Sequence, residues 1–273
     1  MNQYIMPSTY AHFRFGRELR EQLAAKESPC AAAISAYPEL FQIGLHGPDI
    51  FFYYRPLGKN PVNQAAHEMH NVSGAEFFAK MKEKLARLPE GHRTAATAYL
   101  YGFICHFALD STCHGYVDAA IRETGCSHLE IESEMDRALL IKDGLDPISQ
   151  PLTDSIAPTL PNASVISRFF DGVSAAEILE SLKTMVAVDK LFLCPRPAKR
   201  KTLQAGLKLI GQSGLQDMMI NVQPNPACAG AVVQLCKLYE QALPLALRLI
   251  EGFAAEDALQ DVAYCLNFES QIP

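Results

Sequence analysis

The chain has 273 residues, 24 of them Lys or Arg and 30 Asp or Glu, for a formal net charge of -6. With 49% hydrophobic residues it has the make-up of a globular protein with a sizeable core, and its acidic balance excludes the basic field that gathers nucleic-acid phosphates. No run approaches the ~20 apolar residues of a membrane span. The first residues, Met1 to His12, carry no basic and apolar leader pattern, which sets the expectation of a cytoplasmic protein. Eight cysteines are scattered without a CxxC and are expected to be small buried hydrophobes rather than a disulfide framework.

The periodicity is helical from end to end. A first helix is predicted from Ser8 to about Lys26 and carries His12. An Ala-rich segment at 30–36 and a loop with His46-Gly-Pro-Asp49 follow. Ser73-x-x-Glu76 has the form of a capping box and opens a helix to about Leu88. After Pro89-Glu-Gly91 an apolar helix is expected over about 93 to 116, and Ser127-x-x-Glu130 opens another that ends at Lys142 before Asp143-Gly144. Residues 144–165 hold four prolines among Ser and Thr and read as a linker or long loop. Ser174-x-x-Glu177 starts a further helix, and about 198–212 and 227–252 are expected to be helical, the last kinked or offset at Pro244. No alternating pattern supports a sheet, so the fold class is all-α. The expected organisation is a metal-binding helical region over 1–143, the Pro-rich segment 144–165, and a helical region over 166–273 packed on the first.

The chemistry sits in the N-terminal half, because all eight histidines fall within the first 128 residues. His106, Asp110 and His114 stand at i, i+4 and i+8. At ~100° per residue each four-residue step drifts only about 40°, so the three side chains share one stripe of a helix. His128 and Glu132 repeat the i, i+4 spacing fourteen residues further on. A carboxylate in an apolar helix is costly without a partner, and imidazoles with carboxylates one turn apart chelate a divalent ion such as zinc. His12, Asp49 and the pair His67-Glu-Met-His70 bring the donors to more than one tetrahedral ion can take, which points to a cluster and to phosphoryl chemistry. His67 and His70 are three apart; one can bind while its partner supports it, or both can face the site.

The order of an early His, Gly-Pro-Asp-Ile-Phe, His, His-x3-Asp-x3-His and His-x3-Glu over residues 8–135 resembles the zinc-dependent phospholipase C family, whose helical fold is shared with S1/P1-type nucleases. The resemblance implies a multi-helix bundle with the metal site between helices. It implies one ion on His67 (or His70), His106 and Asp110, a second on His114, His128 and Glu132, and a third on His12 and a shared Asp110. It makes Asp49 the general base near the first ion. Secreted members use an N-terminal tryptophan amine as a further ligand, whereas this chain contains no Trp, and Asp110-x3-His114 is a tighter spacing than theirs. The implied activity is hydrolysis of a phosphate ester, lipid or small molecule, by metal-activated water. The alternative is a non-catalytic helical protein in which the same residues hold structural metal and a groove binds a partner.

Overall fold

The longest apolar stretch of the sequence becomes the longest helix and the axis of the molecule. The computed structural model describes residues 9–273, and every regular element among them is helical. The order is α1 (Thr9–Ala25), α2 (Cys30–Ala36), α3 (Pro38–Gly44), a 3-10 turn at Gly47–Tyr53, α4 (Pro61–Asn71), α5 (Gly74–Arg87), α6 (Glu90–Thr124) and α7 (His128–Lys142). The chain continues through α8 (Leu160–Ile166), α9 (Ala175–Phe192), α10 (Pro197–Leu209) and α11 (Ala229–Gly252), with further short 3-10 turns between α10 and the C-terminus. The predicted start of the first helix at Ser8 lies outside the described residues.

α6 has 35 residues, about 52 Å at 1.5 Å per residue. It runs past the predicted end at 116 because Val117 and Ala120 remain buried on its inner face; it stops only at Gly125, which caps it in the left-handed conformation at φ 71°. α3 lies directly against α6. A Cβ on Gly44 would stand 2.2 Å from the Tyr99 carbonyl oxygen, and one on Gly102 would stand 2.2 Å from that of Phe41, so two facing glycines let the backbones touch. α11 packs along α6 as well, and its helix continues through Pro244. Residues of both halves of the chain, from Tyr10 to Phe268, share one buried apolar cluster. Phe192, Cys194, Leu207 and Met219 form a smaller one beside α10. The last residues of the Pro-rich stretch belong to α8, which Thr159 caps by accepting from the Asn162 amide.

Local chemistry sets the helix starts near the site. Asn60 accepts from the amides of Val62 and Asn63 while the Asn63 side chain accepts from the Asn60 amide. This reciprocal cap opens α4, and because it is built from two asparagines it does not show the Ser-x-x-Glu form. Ser73 and Ser127 each accept from the amide three residues on, but neither box closes reciprocally. Glu76 pairs with Lys80 at 2.8 Å and Glu130 accepts from Asn225 at 2.8 Å. α1 is held by α7: Asp136 accepts from the Tyr10 and Ala11 amides at 3.0 and 2.7 Å, a carboxylate on a helix N-terminus. Asp143 at the end of α7 takes Tyr10, Arg14 and Arg17. This double anchorage fixes the helix turn that carries His12.

Candidate metal centre

Five elements converge on one polar core. α1 supplies His12, the 3-10 turn Asp49, the end of α4 His70, α6 the stripe His106, Asp110 and His114, and α7 its first residue His128 together with Glu132. The donors form two groups within which the ligating atoms lie no more than 4.8 Å apart: Asp49, His70, His106 and Asp110, and then His114, His128 and Glu132. In the first, Asp49 reaches His70 Nε2 at 3.1 Å through Oδ1 and His106 Nε2 at 3.4 Å through Oδ2, and Asp110 Oδ2 is 2.9 Å from His106 Nε2. In the second, Glu132 Oε1 stands 3.1 Å from His128 Nε2 and 3.5 Å from His114 Nε2. Asp110 joins them, since its Oδ1 is 3.9 Å from His114 Nε2 and 3.2 Å from His12 Nε2. His12 also stacks on His106 with ring centroids 4.5 Å apart.

His67 and His70 separate cleanly. His70 is 2% exposed and points inward, whereas His67 is exposed on the outer side of α4, where its ring lies 4.8 Å from that of Phe52. The structure therefore brings His12, Asp49, His70, His106, Asp110, His114, His128 and Glu132 together and leaves His67 outside. Two further residues join the site. Glu269, next to the C-terminus, places Oε2 3.5 Å from His114 Nδ1. His46 is fully buried with neither ring nitrogen hydrogen-bonded, and burial, with His12 and His106 nearby, pushes its pKa well below the ordinary value and keeps it neutral. Glu269 carries no spacing signal; His46 stands before a Gly-Pro-Asp turn, where the sequence leaves both a turn role and a site role open.

The ring orientations are set from behind. His70 Nδ1 is 2.8 Å from the Ala66 carbonyl and His106 Nδ1 is 3.2 Å from the Leu45 carbonyl. A carbonyl only accepts, so each Nδ1 carries the proton and each Nε2 offers a lone pair to the site. Gly47 makes the His106 position attainable: its φ is +48°, and a Cβ there would fall 2.1 Å from His106 Cδ2. Phe268 lies under both rings, 5.6 Å from His70 and 5.8 Å from His106.

The donor set fits zinc on a direct observation. His70 Nε2, His106 Nε2, Asp49 Oδ1 and Asp110 Oδ2 are buried and make no hydrogen bond, and the same holds for His128 Nε2 and Glu132 Oε2. Such atoms are costly inside a protein unless something satisfies them. Lone pairs from imidazoles and carboxylates facing one another at these distances are what a nitrogen- and oxygen-binding cation needs. Charge follows the same geometry. Burial raises the Asp110 pKa, but His106, His114 and His12 outweigh it and hold the carboxyl well below its usual range. Burial likewise opposes ionisation of Glu132, yet His128 and His114 bring it down to about 2. Burial lowers His114, and Asp110, Glu132 and Glu269 carry it well above the ordinary imidazole value.

A cleft opens beside the second group. Its walls include Glu132 and, around it, Tyr53, Leu129, Leu152, Phe192 and Ile220. No helix among the described residues is long and apolar enough to cross a membrane. No curated protein and no solved structure matches the chain at a significant level. The sequence model of a family described as zinc dependent phospholipase C matches residues 11–180, more than half of the chain and the whole span from His12 to Glu132. With two buried His and carboxylate groups suited to zinc inside that span, the chain belongs to the zinc-dependent phospholipase C family.

Proposed function

We propose that this protein is a zinc-dependent phosphoric ester hydrolase. The observation that carries the reading is the second group, two imidazoles and one carboxylate, a ligand set of hydrolytic zinc sites, whose Glu132 lines a cleft; three protein donors would leave a tetrahedral ion one position for water or substrate. Two ions are assigned, one on Asp49, His70, His106 and Asp110, the other on His114, His128 and Glu132; His12 and Asp110 offer two donors toward a third. Bound there, zinc would supply Lewis acidity toward the phosphoryl oxygens and a nucleophilic water at neutral pH.

The protein's own groups do the rest. The Ala66 and Leu45 carbonyls hold His70 and His106 in the tautomer that presents Nε2. Asp49, 1% exposed and carried on the short turn after Gly47, is given two roles: Oδ1, 3.1 Å from His70 Nε2, is its donor toward the first ion, and Oδ2, 3.4 Å from His106 Nε2, is the general base that takes the proton of the attacking water. The apolar side of the cleft, Leu129, Leu152, Phe192 and Ile220, suits an ester with an apolar leaving group, so a phospholipid or aryl phosphodiester is the expected substrate class.

The four buried donors of the first group, taken alone, favour a second reading in which the metal is structural and the chain is not catalytic. Asp49→Asn separates the two. In a hydrolase it cuts turnover of an aryl phosphodiester by roughly 10²–10⁴-fold while elemental analysis still finds metal on the second group. Wild-type protein that binds zinc and turns over neither the aryl diester nor phospholipid in mixed micelles would leave only the structural reading.

A further inference from the structure

The last residues of the chain form a built turn pressed against the metal-binding helix. The Asn267 side chain accepts from the amides of Glu269 and Gln271 at 3.0 and 2.8 Å, and the Asn267 amide donates to the Gln271 carbonyl at 2.8 Å. Asn267 is 2% exposed and Phe268 is fully buried under His70 and His106. The preceding Leu266 carbonyl takes the Gly74 amide at 2.7 Å and ties the turn to the start of α5. Ser270, at φ 59°, places its hydroxyl against α6: Oγ accepts from the Gly115 amide at 2.9 Å and donates to the Asp110 carbonyl at 3.2 Å. The two backbone groups it bridges flank the turn that presents Asp110 and His114. Glu269, between Phe268 and Ser270, is thereby brought to His114 on the side away from Glu132, with Oε2 3.5 Å from Nδ1 and its side chain 18% exposed.

We propose that Glu269 is a positioning residue of the second zinc site: its carboxylate accepts from the Nδ1–H of His114 and so presents Nε2 to the ion, while Ser270 braces the Asp110–Gly115 turn. This rests on the assignment of His114, His128 and Glu132 as zinc ligands. His70 and His106 take this support from backbone carbonyls. Among the described residues no carbonyl is hydrogen-bonded to His114 Nδ1, and a carboxylate beside it fixes the tautomer and makes the ring a better donor. The role belongs to this chain's own C-terminal segment, since the family match ends at residue 180.

The test measures zinc binding by competition with a chromophoric chelator, together with the visible spectrum of the Co²⁺-substituted protein, for wild type, Glu269→Ala, Glu269→Gln and Ser270→Ala. Glu269→Ala should weaken one of the two high-affinity ions by about 10–100-fold, leave the other unchanged and alter the Co²⁺ bands. Glu269→Gln, which keeps an acceptor oxygen and the shape, should recover part of that affinity, and it serves alone if the alanine variant does not fold. Ser270→Ala should move the same ion by a smaller factor. Unchanged affinity and unchanged Co²⁺ bands in folded Glu269→Gln and Glu269→Ala overturn the positioning role. Wild-type protein that binds no zinc overturns the metal assignment itself, so the two failures are told apart.

Discussion

The two donor groups are built from the same residue types and meet at Asp110, a donor of the first that stands 3.9 Å from His114 of the second, yet their settings differ. The first has four donors from three elements, all at most 2% exposed, with His70 and His106 braced by carbonyls and cushioned by Phe268. The second has three donors; His128 at the tip of α7 is 18% exposed, and Glu132 borders the cleft. A full set of buried donors holds an ion tightly and leaves little room for exchange, whereas three donors beside a cleft leave a position for water or substrate. On the proposed reading the difference teaches that the first site closes around its ion and contributes the base Asp49, that the second has room for water or substrate, and that Asp110 stands between them.

The sharpest way to break that comparison is to remove that carboxylate. Asp110→Asn should lower zinc content at both groups and, by leaving three buried imidazoles without their carboxylate, destabilise the protein by about 3–5 kcal/mol; chelator titration and thermal unfolding read both effects. Loss of metal from the first group only would show that Asp110 does not couple the two.

The next effect is on pH. In metal-stripped protein the raised His114 contributes stability in full below its ordinary value of 6.5 and loses it as pH rises through its folded value. Glu132, lowered to about 2, contributes in full above 4.5 and loses it as pH falls toward 2. The stripped protein is therefore most stable between about pH 5 and 6.5. Zinc competes with protons for the same nitrogens, so the gain in stability on adding zinc should be small at pH 5 and grow toward pH 8, reaching about 2.7 kcal/mol per site at a hundredfold excess over Kd. Melting curves with and without chelator across this range check the sign; a zinc gain that falls with pH would contradict imidazole ligation.

Smaller effects separate the groups further. Gly47→Ala forces a side chain into the left-handed region against the His106 ring, so it should cost about 1–3 kcal/mol and weaken the first ion more than the second in the chelator assay. His67→Ala should change neither metal content nor melting by more than ~0.5 kcal/mol, in contrast with His70→Ala, which should lose the first ion. Equal behaviour of the two histidine variants would mean that α4 presents a different face.

Much of the centre is legible in the sequence because it is local. The i, i+4, i+8 stripe on α6 and the i, i+4 pair on α7 follow from helical pitch alone, and Ser73, Ser127 and Ser174 mark helix starts through bonds three residues long. Where the pattern depends on more than pitch it is weaker: the sequence predicts the end of α6 near 116, while the buried inner face carries the helix to its cap at Gly125. His67 and His70 lie close enough in sequence that either can face inward; which one does depends on how α4 is rotated against the Asp49 turn. Glu269 and Ser270 are remote from every other donor along the chain, and no spacing foretells them.

Taken alone, then, the sequence determines an all-α chain, a stripe of ligands on one helix face and the residue types that favour zinc, since these rest on periodicity and donor chemistry within a few turns. Tertiary structure alone decides that the donors divide into two groups meeting at Asp110, that His70 rather than His67 enters, and that the C-terminal turn closes against α6. Those outcomes depend on how five elements pack around one buried core, and packing between distant segments leaves no period in the sequence to read.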